Sequence, residues 1–118
     1  MPSGCYIRYP NLTVEIQNNR PQYSYKSRRG EISLWGGAVV ENVVQALARC
    51  IVGEQMLKIQ ERYSVVLTVH DAAVCVVPED ELEQAVSYVT ECMSAAPPWA
   101  TGLPIACETK VARSYGEC

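Results

Sequence analysis

The chain's only histidine stands beside an aspartate between two apolar runs. In the stretch LTVHDAAVCVV, residues 67–77, His70 and Asp71 end one β-branched run and precede another. A carboxylate in such a place must stay hydrated, be paired or hold a cation. One explanation is a simple turn, because an aspartate side chain can satisfy nearby backbone N–H groups. The other is a hard-cation site, since Mg²⁺ takes carboxylate oxygens and is often completed by substrate phosphates.

Other chemistries find less support in the sequence. A serine hydrolase dyad would need a nucleophile, and the chain has no GxSxG pattern. A zinc-type site would need several soft ligands, and the chain has one histidine and no CxxC pair. The six cysteines lie largely in apolar segments, which favours reduced thiols that pack as small hydrophobic side chains.

A second candidate surface lies on a long helix predicted for residues 34–59. A buried stripe is predicted from five apolar residues: Val40, Val43, Val44, Leu47 and Ile51. On the opposite side, Asn42, Gln45 and Arg49 line up at spacings of three and four. Amides donate and accept, and arginine reaches phosphates or base edges, so this stripe suits a nucleic-acid groove. Ordinary solvated polarity is the alternative.

A third candidate is the basic stretch RPQYSYKSRR, residues 20–29. It holds Arg20, Lys26, Arg28 and Arg29 around two tyrosines, a mixture that suits a phosphate backbone. The net charge of −3 gives the chain as a whole no attraction for polyanions. Composition alone therefore favours a solvated hairpin end.

These residues must be positioned by alternating strands and helices. The 118 residues suit one compact domain or a detached piece of a larger one. The predicted order is a β-hairpin in 1–30, a helix in 34–59, a hairpin in 62–78, a helix in 79–94 and a final strand in 103–113. This order predicts an α+β fold in which an antiparallel sheet carries two helices on one face. Neither a membrane span nor a signal peptide is indicated, so we expect a cytoplasmic protein.

Four segments follow one another with short gaps: PSGCYIRYP, LWGGAVVENVVQALAR, LTVHDAAVCVVPED and CETKVARSYGEC. In that order they resemble the C-terminal part of the palm of family A DNA polymerases, the group of bacterial DNA polymerase I and several phage replicative enzymes. The second segment is similar to the palm helix that touches the primer–template minor groove. The third is similar to motif C, and the last to the closing strand and tail of phage members.

The resemblance implies a role for each matching residue. Asp71 would bind the catalytic divalent ions, and His70 would contact the primer end. Gln45 would read minor-groove acceptors, which occur on every base pair and therefore report pair geometry. Further duplex contacts are expected from Asn42, Arg49, Arg8, Lys26, Arg28 and Arg29.

The chain also departs from the family pattern. Ala72 stands where motif C commonly carries a second carboxylate, and Glu41 stands where bacterial enzymes carry an asparagine. Motif A, which supplies another metal-binding carboxylate, and motif B, which binds the incoming nucleotide, have no counterpart in these residues. The resemblance therefore implies a subunit or fragment that needs a partner chain with motifs A and B.

The expected function is DNA-directed DNA polymerisation, a nucleotidyl transfer, in the replication of a bacterial or phage genome. Two Mg²⁺ or Mn²⁺ ions shared with the partner chain, primer–template DNA and the incoming dNTP would be bound by the complex. The chain alone is not expected to be active. The alternative is a non-catalytic α+β binding or regulatory module descended from a polymerase palm.

Overall fold

The computed structural model describes residues 1–117. Five strands form two antiparallel sheets, and two long helices accompany them, so the predicted α+β class is confirmed. The strands form a three-stranded and a two-stranded sheet, where a single sheet was expected. The contacts divide the chain into two units, Met1–Ala48 and Arg49–Cys118, which are described separately. No helix within the described residues is long and apolar enough to cross a membrane.

The first unit is built on a three-stranded meander. Its strands are β1 (Thr13–Gln17), β2 (Arg20–Ser27) and β3 (Gly30–Leu34), and each pairs with the next. The prediction of one hairpin in 1–30 was therefore incomplete, because it missed β3 and included residues 1–12, which form no strand.

Two short turns set the register of the meander. Asn18 and Asn19 join β1 to β2 with φ of 51° and 59°, as a type I′ turn requires. Arg28 and Arg29 join β2 to β3, followed by Gly30 with φ of 116°. A left-handed φ favours glycine, because any Cβ there is strained.

Alternation along the strands gives the meander one polar and one apolar face. The register places these side chains on the apolar face: Val14, Ile16, Tyr23, Tyr25, Ile32 and Leu34. Only Leu34 of this set is buried, and Ile16 is 70% exposed. The described chain thus leaves most of an apolar sheet face open to solvent.

Helix α1 (Gly36–Gln60) begins in the first unit and ends in the second. The predicted buried stripe is wrong: Val40, Val43 and Val44 are 62%, 38% and 58% exposed, and Leu47 and Ile51 are only half-buried. The helical period places these valines on one face, but no other part of the described chain covers them. Toward the C-terminal end of α1, Ile59 is fully buried.

The core of the second unit lies where α1 ends. Strands β4 (Ser64–Val69) and β5 (Ala72–Val76) form a hairpin, and α2 (Leu82–Ser94) follows a short 3₁₀ turn. The buried cluster consists of Ile59, Tyr63, Ala85 and Cys92. Half-buried side chains from the hairpin pack against this cluster: Val65, Cys75 and Val77. The hydrophobic contact of the two helices with one side of the hairpin therefore holds β4 and β5 in place.

Two polar contacts tie α1 to α2. The buried Gln55 side chain donates to the carbonyl oxygens of Met93 at 2.8 Å and Ala95 at 3.1 Å. The Tyr88 hydroxyl donates to the Lys58 carbonyl oxygen at 2.8 Å. Carbonyl groups at a helix end lack intrahelical partners, so Gln55 satisfies acceptors that would otherwise need water.

The strand predicted for 103–113 is wrong, since these residues form no strand in the structure. The segment contacts α2 through side chains instead: the Thr109 and Thr90 hydroxyls are 2.8 Å apart, and Cys107 Sγ is 3.4 Å from Ser94 Oγ. A strand needs the free backbone edge of another strand, and local β propensity cannot supply one.

We predict opposite effects of two glycine-to-alanine substitutions on chain stability. Gly30→Ala should destabilise by about 1 kcal/mol or more, because alanine is strained at φ of 116°. Gly53→Ala should stabilise by about 0.5–1 kcal/mol, because this position is inside α1 and nothing lies within 4 Å of an added Cβ. Urea denaturation followed by circular dichroism measures both. Equal effects of the two substitutions would contradict the described backbone.

Candidate functional site

His70 and Asp71 form the two-residue loop of the β4–β5 hairpin. Val69 pairs directly with Ala72, so the two polar residues stand alone at the tip, as the sequence predicted. Both side chains are exposed. The hairpin therefore leaves both the imidazole and the carboxylate exposed to solvent.

The backbone at His70 is unusual. Its φ is 54°, a left-handed value that glycine adopts freely and other residues adopt at a cost of about 1–2 kcal/mol. Strain of this kind concentrates at functional positions, where a specific side chain outweighs the cost. Residue types did not predict this backbone conformation, because a β-branched run before a histidine does not indicate a left-handed φ.

The Asp71 carboxylate makes no hydrogen bond or ion pair with residues 1–117, and the same is true of the His70 ring. The turn explanation requires the carboxylate to accept from nearby backbone N–H groups. No such bond is made within residues 1–117, so the carboxylate faces solvent and is available to an external ligand.

The described residues do not complete a metal site. No group of three or more His, Cys, Asp or Glu side chains in 1–117 could hold a metal ion. Mg²⁺ usually takes one or two protein carboxylates and fills its other positions with water and phosphate. Asp71 can supply one such ligand, and any second carboxylate must come from outside these residues.

Asn42, one of the predicted groove contacts, has a partner inside its own unit. Its side-chain nitrogen donates to the Tyr9 hydroxyl at 3.0 Å, and Asn42 is half-buried. The Tyr9 ring packs edge-on against Tyr25 with centroids 5.2 Å apart. Asn42 therefore connects the N-terminal segment and the meander to α1, a role that sequence spacing did not reveal.

The other two residues of the predicted groove stripe are exposed. Gln45 donates from Nε2 to Glu41 Oε1 at 3.0 Å, one helical turn away. Arg49 makes no ion pair with the described residues. The spacing of four residues between Glu41 and Gln45 is the signal from which this contact could have been predicted.

The basic stretch divides into two groups in the structure. Arg28 and Arg29 are exposed at the β2–β3 turn, and Lys26 precedes them on β2. Arg20 begins β2, about 20 Å from that turn at the rise of a β-strand. Arg8 is exposed in the N-terminal segment. Three cations thus share one hairpin end.

The five cysteines in the described part of the chain form no disulfide bond, and Cys92 is buried in the core. Burial raises the pKa of the Cys75 thiol, which favours the protonated, poorly nucleophilic form.

Comparison with known proteins adds independent evidence. The chain is 30% identical over 125 residues to a DNA polymerase of Bacillus phage SP02. The similarity is to a DNA polymerase. The alignment covers 98% of this chain but only 19% of the phage protein, so the chain spans about one fifth of that relative's length. No protein-family profile matches the chain, and no solved structure matches it significantly.

We predict that His70→Gly is more stable than His70→Ala by about 1 kcal/mol. Both variants lack the imidazole, but only glycine is unstrained at a φ of 54°. Urea denaturation of the two proteins measures the difference. If the two variants unfold at the same urea concentration, the left-handed backbone at residue 70 is refuted.

Proposed function

We propose that this chain forms part of the palm of a family A DNA-directed DNA polymerase and supplies its motif C aspartate, Asp71. The observation that carries the proposal is the similarity to a phage DNA polymerase over 98% of the chain. The exposed, unpartnered carboxylate of Asp71 at a hairpin tip supports it.

The role proposed for Asp71 is that of a hard oxygen ligand. In two-metal nucleotidyl transfer, divalent ions activate the primer 3′ hydroxyl and stabilise the charge on the displaced phosphates. The two-residue loop keeps Asp71 accessible to solvent and hence to a nucleic-acid end. His70, adjacent in the same loop, can hydrogen-bond a sugar or phosphate oxygen of the primer. The incoming dNTP would be held mainly by the missing motif B.

The duplex contacts follow from the exposed polar side chains. Gln45 can reach base edges in the minor groove, while Arg49, Lys26, Arg28 and Arg29 can neutralise phosphates. Arg8 is a further candidate for a phosphate contact. Asn42 is better suited to holding Tyr9, because its side chain is half-buried and donates to the Tyr9 hydroxyl.

The exposed apolar surface supports association with further polymerase segments that carry motifs A and B. Ile16 is 70% exposed on the meander, and Val40 and Val44 are 62% and 58% exposed on α1. A self-sufficient regulatory module, the alternative function, would bury its apolar sheet face. Whether the segments with motifs A and B are joined to this chain or separate from it, we expect them to cover the meander.

We predict that Asp71→Ala in the complete polymerase lowers primer extension about a thousand-fold or more. The variant lacks the carboxylate proposed to hold a divalent ion that stabilises the charge of the transition state. Asp80→Ala is the matched control, since Asp80 is an exposed carboxylate in the 3₁₀ turn before α2. Single-turnover nucleotide incorporation measures both variants. Full activity of Asp71→Ala would refute the proposed function.

We also predict that Ile16→Lys weakens association with the rest of the polymerase, whereas Gln17→Lys does not. The two positions are adjacent on β1 but face opposite sides of the sheet, and both changes add one positive charge. Ile16 is already 70% exposed, so the change should hardly affect folding of this chain. Sedimentation of the mixed components, or thermal melting of the continuous polymerase, compares the variants. Identical behaviour of the two would exclude the apolar face as the contact surface.

A further inference from the structure

The Gln45 amide is held in one orientation by Glu41. Nε2 of Gln45 lies 3.0 Å from Oε1 of Glu41, and both side chains are exposed on α1. An ionised carboxylate can only accept hydrogen bonds, so the amide nitrogen and not its oxygen must face Glu41. The Gln45 carbonyl oxygen has no partner within residues 1–117.

This orientation changes what Gln45 can offer to a minor groove. A freely rotating amide can present its two N–H groups to the acceptors found on every base pair. With one N–H engaged by Glu41, the amide presents its carbonyl oxygen and the one remaining N–H. Guanine alone adds a donor, its N2 amino group, beside the shared acceptors. A G·C pair can therefore bind both groups of the oriented amide, and an A·T pair only one.

We propose that Glu41 is a positioning residue that gives Gln45 a preference for guanine at the duplex position it contacts. The inference rests on the polymerase function proposed above. The preference is limited by the cost of releasing the amide from Glu41, and for an exposed pair four residues apart on a helix this corresponds to about two-fold.

The negative charge of Glu41 has a separate consequence. It repels nearby phosphates, so removing it raises the affinity for every duplex equally and more strongly at low salt. The ratio between guanine-containing and guanine-free duplexes reports the orientation of the amide. Absolute affinity reports the charge.

The test uses the complete polymerase and primer–templates in which guanine is replaced by inosine, one position at a time, near the primer end. Inosine lacks the 2-amino group but still pairs with cytosine. The wild-type enzyme should lose about two-fold in primer-extension efficiency, kcat/KM, at one position. Glu41→Ala and Glu41→Gln should both abolish this loss, because neither side chain restricts the amide to one orientation. Glu83→Ala, an exposed glutamate on α2, is the matched control and should keep it.

Two outcomes would overturn the inference: a wild-type enzyme that is insensitive to inosine at every position, or a Glu41→Ala variant with the wild-type ratio. A Glu41→Ala variant that binds DNA more tightly but keeps the wild-type ratio also overturns the inference. Asp71→Ala separates this failure from that of the proposed function. If Asp71→Ala is inactive and the wild-type enzyme extends guanine and inosine duplexes equally well at every position, only the role of Glu41 is wrong. If Asp71→Ala is fully active, the proposed role of this chain in supplying the motif C aspartate is wrong.

Discussion

The pairing of Val69 with Ala72 is the constraint on which the candidate site depends. Because side chains alternate along a strand, a shift of one residue in this ladder would turn every side chain to the opposite face. The packing of Val65 and Cys75 against the helix core anchors the far end of the ladder, and the register irregularity between Val65 and Leu67 sets the pairing from there to the tip. The register in turn leaves only two residues for the loop, so His70 must take a left-handed φ and Asp71 must face solvent. The hydrophobic core of the second unit thus fixes the position of an exposed carboxylate.

The two ends of α1 differ in how much of their surface this chain covers. At the C-terminal end, Ile59 is fully buried and Gln55 bonds two carbonyl groups. At the N-terminal end, Val40 and Val44 remain largely exposed. An amphipathic helix gains most of its stability from packing of its apolar face. The uncovered end therefore supports the proposal that further polymerase segments cover this chain.

Local patterns in the sequence predicted the two helices and the hairpin with His70 and Asp71 at its tip. Two β-branched runs around His70 and Asp71 were sufficient for the hairpin, and 3.6-residue periodicity for both helices. What depended on distant partners was not predictable. The 103–113 segment has strand-like residues but no adjacent strand edge, and Asn42 meets Tyr9, which is 33 residues away in the chain. The left-handed φ of His70 follows from the length of the loop, and residue propensities alone would have favoured glycine there.

The central claim is that the side chain at position 71 touches a catalytic divalent ion. Replacing a hard carboxylate by a soft thiolate tests that contact directly, because thiolates bind Mg²⁺ poorly and Cd²⁺ well. Primer extension by the complete polymerase carrying Asp71→Cys should be lost with Mg²⁺ and partly restored when Cd²⁺ is added. The wild-type enzyme should gain nothing from the same addition. Wild-type rates with Mg²⁺ alone in the Asp71→Cys variant would contradict the account.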